Sequence, residues 1–420
     1  MIEIKPQKTI RASVTIPGSK SYTHRIFIAS ALSDGICTVK NALRSDDTLL
    51  TLETLRHVGV KTEDREGHFI LHGTKGMLSP CDEPIFLGNS GTSMRLLTAV
   101  TALGNGTYTL TGTDRMCERP IRDLLDGLDQ MGVSARSVNG SGCPPVEVRG
   151  GDIRGGSIRL RCGISSQYLS ALLLIAPYTR EGLEIIVTEG PVSKPYIDMT
   201  ADVMTRLGIE VNREGYNRFH IPGKQVYKSG TYVVESDGSN ASYFWAAAAI
   251  TGGTVKVLGI GKDSQQGDIR FTDLLEVMGC KVSREKDGVA VSGGKLSGIE
   301  ADMADMPDVV PTLAIVAAFA EGKTVIRNVA HLKAKECDRL DAVATELSKM
   351  GIDAVSTDSG LIISGGTPGP ARIGTYDDHR IAMSFAIAGL VTPGVMIRNE
   401  RCVEKSFPNF WDVFEELYQQ

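Results

Sequence analysis

Read as a string of apolar and polar positions, the chain alternates two helical signatures with short β-branched runs. The first signature is a helix apolar nearly all round, followed by Gly and a strand: IASALSDGICTV, TAVTALGNGTYTL, LLLIAPYTREGLEIIV, FWAAAAITGGTVKV, IVAAFAEGKTVIRNV and FAIAGLVTPGVMIRN. Its glycines, Gly35, Gly106, Gly182, Gly253, Gly322 and Gly394, stand 69 to 76 residues apart. The second is an amphipathic helix ending in Gly before a strand: TLRHVGVKTE, LDQMGVSAR, MTRLGIEVN, LEVMGCKVS and LSKMGIDAV, with Gly59, Gly132, Gly208, Gly279 and Gly351 at intervals of 71 to 76. Two independent patterns with one period mark an internal repeat. Each glycine falls where a helix must stop, a position that favours φ > 0.

The unit these patterns predict is helix–strand–helix–strand–strand, joined to its neighbour by one more short strand. Six units of about 70 residues fill the chain, a period set by the spacings above. The sixth, from about Asp377, retains only its second helix, in NFWDVFEELYQQ, so its missing strands are expected from the N-terminal segments IEIKP and RASVTIPG. That closure predicts a discontinuous domain of residues 1–18 plus 235–420 and an inserted domain of 19–234, with three repeats each. A helix apolar on all faces is buried on all faces, so the six first helices are expected inside the two domains, with their polar N-termini as the informative ends.

Composition narrows the class. Of the 420 residues, 42% are hydrophobic and 23% charged, with a net charge of −5, which argues against a nucleic-acid or membrane-surface partner. The longest apolar run, Leu169 to Ala176, is far short of the roughly 20 residues of a membrane span. The N-terminus has no apolar leader segment, and eight scattered cysteines include no C-x-x-C pair. Together these predict a cytoplasmic protein with free thiols.

The chemistry gathers at the six helix starts: PGSKSYTHR, LGNSGTSMR, GISSQYLS, SDGSNAS, ADMPDVVP and YDDHRIAMS. Ser, Thr, Asn and Asp there are ordinary N-caps. Lys20, Arg25, Arg95 and Arg380 are not, because a cation in a first turn opposes the helix dipole. Four such placements predict that anions meet these helix ends. Further polar clusters lie in DRMCERP, EGPVSKPYID, HLKAKECDR and VEKSFP. His68 and His72, in HFILH, read as strand residues rather than metal ligands, and neither a Gly-rich dinucleotide or phosphate loop nor a hydrolase elbow is present. Cys117, two residues before Arg119, reads as an inert thiol.

In chain order, PGSKSYTHR, LGNSGTSMR, RMCERPI, SSQYLSALL, SKPYID, the Pro-Asp at 307–308, KAKECDR, DDHRIAMSFA and EKSFPNF closely resemble the EPSP synthase family, the 3-phosphoshikimate 1-carboxyvinyltransferases. The resemblance spans essentially the whole chain. It implies an inside-out α/β barrel of two domains, each of three βαβαββ units, that close over the substrates. It also implies transfer of the enolpyruvyl group of phosphoenolpyruvate to the 5-hydroxyl of shikimate 3-phosphate by a monomer, without a metal or organic cofactor. Carried over by motif, Lys20, Ser21, Arg25, Ser165, Ser166, Gln167, Ser193, Asp308 and Lys335 bind shikimate 3-phosphate. Lys20, Gly91, Arg119, Gln167, Arg339, Arg380 and Lys405 face phosphoenolpyruvate, and Asp308, Glu336 and Lys20 are the catalytic groups. Two residues depart from the family pattern. His331 stands for an Asn, and Cys117 for a Lys. Gly91 keeps the small residue that leaves room for glyphosate, so inhibition in competition with phosphoenolpyruvate is expected. The alternatives are UDP-N-acetylglucosamine 1-carboxyvinyltransferase, whose loop Cys lies further before its Arg, RNA 3′-phosphate cyclase, and a non-catalytic clamp for an anionic metabolite.

Overall fold

Each apolar stretch folds as a helix covered on every side. Gly238–Thr251 is buried from Gly238 to Ala249, and Val310–Ala318 is buried throughout. The computed structural model describes residues 1–7 and 9–419. These fall into two compact units, Gly18–Val234 and Met1–Pro17 with Glu235–Gln420. In the first unit, helices Lys20–Ala31, Gly91–Thr101 and Gln167–Ile175 form the centre of one hydrophobic core. In the second, Gly238–Thr251, Val310–Ala318 and His379–Gly389 do the same. The amphipathic helices lie outside these: Arg122–Gln130 buries Leu124, Leu125 and Leu128 and exposes Arg122, Asp126 and Asp129.

Among the described residues, five of the six sheets have four strands in one order. In the sheet around Thr107–Thr111, the connecting strand Ile85–Phe86 runs parallel on one side, as a crossover through a helix requires. The hairpin of Ser134–Ser137 and Val146–Arg149 completes the other side, antiparallel.

The N-terminal segments divide differently from the sequence expectation. Only Ile2–Glu3 joins the sixth sheet, antiparallel to Met396–Ile397, and that sheet has three strands. Arg11–Thr15 lies instead beside Thr254–Leu258 in the fourth sheet, parallel, with Arg11 opposite Thr254 and Thr15 opposite Leu258. The other crossing strand, Thr231–Val233, completes the sheet of Ile36–Lys40 within its own unit. Each crossing strand thus closes a sheet of the unit it leaves. A period-2 pattern fixes which face of a strand is buried, not which neighbour it pairs with.

The glycines of the second pattern, Gly59, Gly132, Gly208, Gly279 and Gly351, all have positive φ as expected. Those of the first are mixed. Gly253 has no left-handed φ; a Cβ there would sit 2.2 Å from the Ile10 carbonyl oxygen, so the residue is small for lack of space.

Candidate active site

The helix starts of the unit containing Glu235–Gln420 carry an ion cluster. Helix Arg339–Lys349 begins with an arginine that is 1% exposed and reaches three carboxylates. Its Nε donates to Asp378 Oδ2 at 2.8 Å, Nη1 to Asp308 Oδ1 at 3.1 Å, and Nη2 to Glu336 Oε2 at 2.9 Å and Asp378 Oδ1 at 3.3 Å. Arg380 Nη2 donates to the other Asp308 oxygen at 2.7 Å, and Lys405 Nζ stands 3.9 Å from Glu336 Oε1. Three cations and three carboxylates therefore share one network. Burial works against the Arg339 charge, yet Asp378, Glu336 and Asp308 outweigh it and raise the pKa above the ordinary arginine value.

Local sequence explains the placement. Asp378 caps helix His379–Gly389 by accepting the Arg380 N–H at 2.9 Å, so one carboxylate ends a helix and holds Arg339. Asp308 lies in a short helical turn, Pro307–Val309, leading into Val310–Ala318, and is half-buried. Lys335 and Glu336 follow a short turn, Ala330–Ala334.

In the unit Gly18–Val234, Ser19 caps the helix that opens with Lys20 and Ser21. Lys20 Nζ pairs with Asp47 Oδ2 at 3.2 Å. Arg25 is buried and donates to Thr200 Oγ1 at 2.7 Å, the Ser21 carbonyl at 2.8 Å, the Tyr196 carbonyl at 3.1 Å and Ser170 Oγ at 3.3 Å. Burial lowers its pKa to about 10, which leaves it a cation at neutral pH. Gln167 is held at both ends: Arg95 Nη1 donates to its Oε1 at 2.7 Å, and its Nε2 donates to Thr92 Oγ1 at 2.9 Å. Arg119 Nη1 donates to the Asn89 carbonyl and to Asn89 Oδ1, both at 3.1 Å, and its guanidinium packs on Gly91. Ser165 Oγ accepts the Gln167 N–H at 3.2 Å, Ser166 is the N-cap residue of the same helix, and Ser193 is buried at φ +55.

Beneath these groups a buried chain of side chains ties three helices together. His24 Nδ1 and Thr51 Oγ1 are 2.8 Å apart, Thr51 and Ser93 Oγ 2.8 Å, and Ser93 and Ser90 Oγ 2.7 Å, while Ser93 also donates to the Asp47 carbonyl at 3.1 Å. Burial drives the His24 pKa down to about 3, so the ring is neutral. His331, the departure from the family pattern, is also neutral: burial, then Lys335, lower its pKa to about 4. A neutral imidazole both donates and accepts a hydrogen bond, as an Asn amide does.

The structure thus groups Asp308, Glu336, Arg339, Arg380 and Lys405 in one unit. In the other it ties Lys20 to Asp47, Arg119 to Gly91 and Gln167 to Arg95. The cations at the helix starts are held by internal acceptors rather than left bare, which is how they escape the opposing dipole. Three participants were missed from sequence. Asp47 and Asp378 each sit in an Asp-Asp pair that reads as a helix cap, and their charge partners lie 27 and 39 residues away. Asp268, buried and accepting from Ser239 Oγ, lies outside every quoted motif; burial first, then Asp308, push its pKa up to about 7. A buried carboxyl in QQGDIRF gives no periodic signal of its own.

The family model described as EPSP synthase (3-phosphoshikimate 1-carboxyvinyltransferase) matches residues 4–414. The 3-phosphoshikimate 1-carboxyvinyltransferase of Syntrophobacter fumaroxidans is 43% identical over 417 residues, covering 99% of both chains. That of a Sulfurovum species is 44% identical over 426 residues, again covering 99% of each. The solved structure of EPSP synthase from Acinetobacter baumannii superimposes with a TM-score of 0.83 at 30% identity, over 99% of this chain and 97% of that one. The fold is therefore the inside-out α/β architecture of those structures.

Proposed function

The chain belongs to the EPSP synthase family, and on that premise we infer that it transfers the enolpyruvyl group of phosphoenolpyruvate to the 5-hydroxyl of shikimate 3-phosphate. The products are 5-enolpyruvylshikimate 3-phosphate and inorganic phosphate, a step in aromatic amino-acid biosynthesis. The observation that carries the catalytic reading is the grip of Arg339 on Asp308 and Glu336 at 3.1 and 2.9 Å.

Both substrates carry a phosphate and a carboxylate. A chain of net charge −5 can bind them only by concentrating cations locally. Arg119, Arg339, Arg380 and Lys405 serve phosphoenolpyruvate with Gly91, Gln167 and Lys20. Lys20, Ser21, Arg25, Ser165, Ser166, Gln167, Ser193, Asp308 and Lys335 serve shikimate 3-phosphate. Arginine suits this task because its fork matches carboxylate and phosphate oxygens in pairs.

The chemistry is addition, then elimination. Asp308 takes the proton of the 5-hydroxyl as that oxygen bonds to C2 of phosphoenolpyruvate. Glu336, with Lys20, delivers a proton to C3, giving a tetrahedral phospholactoyl intermediate. Glu336 then takes a proton back from C3, which re-forms the double bond as the C2–O bond to phosphate breaks, and the hydroxyl proton held by Asp308 passes to the departing phosphate. Each positioned proton transfer supplies about 10²–10⁴-fold. Cations fix both carboxylates in place, Asp308 between Arg339 and Arg380, and Glu336 on Arg339 with Lys405 3.9 Å away.

The reading includes a monomeric, cytoplasmic enzyme, in keeping with eight cysteines that are all free thiols; sedimentation at about the 45.1 kDa of one chain tests the first point. The reaction is tested by phosphate release from phosphoenolpyruvate with shikimate 3-phosphate, run beside UDP-N-acetylglucosamine. Release with the first acceptor alone is expected; release with the second alone overturns the assignment.

A further inference from the structure

The network that anchors Arg339 is itself held by a group the reaction does not use. Just before Asp378, two adjacent non-glycine residues, Tyr376 and Asp377, both stand at φ +54. In that left-handed region the Cβ crowds the backbone, and such residues persist only where neighbouring structure over-determines them. The neighbour is helix Arg339–Lys349, through Glu346.

Glu346 is fully buried, at 0% exposure. Its Oε2 accepts the Gly374 N–H at 3.0 Å, its Oε1 accepts the Tyr376 hydroxyl at 2.6 Å, and Lys349 Nζ bonds both oxygens at 2.7 and 2.9 Å. Seven residues earlier, two turns back along the same helix, Arg339 holds Asp378. One helix therefore grips the segment at Gly374 before the left-handed pair, at Tyr376 within it and at Asp378 after it. Asp377 is fixed as well, its Oδ1 accepting from Asn399 Nδ2 at 3.0 Å, and the Asp378 N–H donates to the Thr375 carbonyl at 2.8 Å. A buried carboxylate is costly wherever a hydrophobic residue would serve. Spending one here on a turn that carries no substrate ligand of its own is informative.

We propose that Glu346 is a positioning residue for the transfer reaction: it locks the left-handed Tyr376–Asp377 turn, and so holds Asp378 and Arg380 where Arg339 and Asp308 meet them. This rests on reading Arg339 and Arg380 as cations for phosphoenolpyruvate. Glu346→Gln keeps the size but replaces one acceptor oxygen by a donor, so the bonds to Gly374, Tyr376 and Lys349 cannot all survive. Tyr376→Phe removes one bond only and serves should the first variant not fold.

Steady-state kinetics supply the test, with thermal unfolding as the check on folding. The expected result is a KM for phosphoenolpyruvate raised at least about 10-fold in Glu346→Gln and about 3-fold in Tyr376→Phe, the size of one weakened charge-assisted contact. The KM for shikimate 3-phosphate should move less, within about 2-fold, since of its ligands only Asp308 meets this network while Lys20 and Arg25 are not tied to the turn. A merely structural role would lower the active fraction and leave both KM values alone, and that result overturns the proposal. Arg339→Lys runs alongside. If it raises the KM for phosphoenolpyruvate and the other two do not, Glu346 is not a positioning residue. If Arg339→Lys changes nothing, the reading of the site fails first, and the proposal with it.

Discussion

Replacing Gly91 by alanine adds one carbon where there is no room for it. Built on the existing backbone, the new Cβ would lie 2.5 Å from Arg119 Nη2, 2.8 Å from Cζ and 3.0 Å from Nη1. Ordinary contact is about 3.5 Å, so something must move by about 1 Å. Gly91 is the first residue of its helix, and alanine is favoured over glycine inside a helix by up to about 1 kcal/mol, so the backbone will stay. The guanidinium, at the end of a flexible side chain, is what yields. Its bonds from Nη1 to Asn89, now 3.1 Å each, would then stretch beyond hydrogen-bond range. Stability should change by less than about 1 kcal/mol, because the loss of contact and the gain in helix propensity oppose each other. The loss falls on the anion Arg119 binds. A charge-assisted hydrogen bond contributes about 1.5–3 kcal/mol, which becomes a rise of about 10- to 150-fold in the KM for phosphoenolpyruvate. The assay is phosphate release with phosphoenolpyruvate varied at saturating shikimate 3-phosphate, whose own KM should move by less than about 2-fold. An unchanged KM for phosphoenolpyruvate in Gly91→Ala, with a raised one in Arg119→Ala, would refute the packing argument while sparing Arg119.

Other consequences follow from the same geometry. Asp378→Ala strips the buried Arg339 of two bonds and removes a helix cap, so its unit should lose about 3–5 kcal/mol in urea unfolding; a loss under about 1 kcal/mol contradicts the anchoring role. Asp268 keeps its proton to about pH 7 in the fold but only to about pH 3.9 unfolded, so the folded state binds more protons between those values and stability falls as pH rises through them. Asp268→Asn should abolish that slope, seen as a Tm advantage over wild type that grows from pH 4 to 7 and then levels; parallel curves would contradict it. His24, neutral down to about pH 3, works in the opposite sense: stability falls as pH drops from about 6.5 towards 3, and His24→Gln should flatten that limb of the same Tm profile. Glyphosate should inhibit wild type in competition with phosphoenolpyruvate and act more weakly on Gly91→Ala, and full wild-type activity in saturating glyphosate would overturn this.

Much of the architecture is legible in the chain because its signals are local and repeated. A helix such as ASYFWAAAAI has no polar face to show solvent, and an amphipathic helix ending in Gly279 at φ +116 announces its own stop. Pairing is a different matter. RASVTIPG alternates as a strand should, yet its partner is Thr254–Leu258, more than 200 residues away, and nothing in its own pattern selects that sheet over the sixth. The candidate site divides the same way. Lys20, Arg119, Asp308 and Arg380 stand in compact motifs, but Asp47 and Asp378 look like helix caps until their distant partners are seen. The left-handed pair Tyr376–Asp377 is silent for a physical reason: glycine is the strong advertiser of positive φ in a sequence, and here hydrogen bonds from Gly374 and Tyr376 to the buried Glu346 do its work.

The most direct test of the central claim is the turnover of Asp308→Asn, which keeps the shape of the side chain and its contact with Arg339 but cannot take a proton from the 5-hydroxyl. With shikimate 3-phosphate binding measured separately and retained, turnover should fall by about 10²–10⁴-fold. Turnover within a few-fold of wild type would mean that the carboxylate shared by Arg339 and Arg380 is a structural counter-ion, and that the proton leaves by another route.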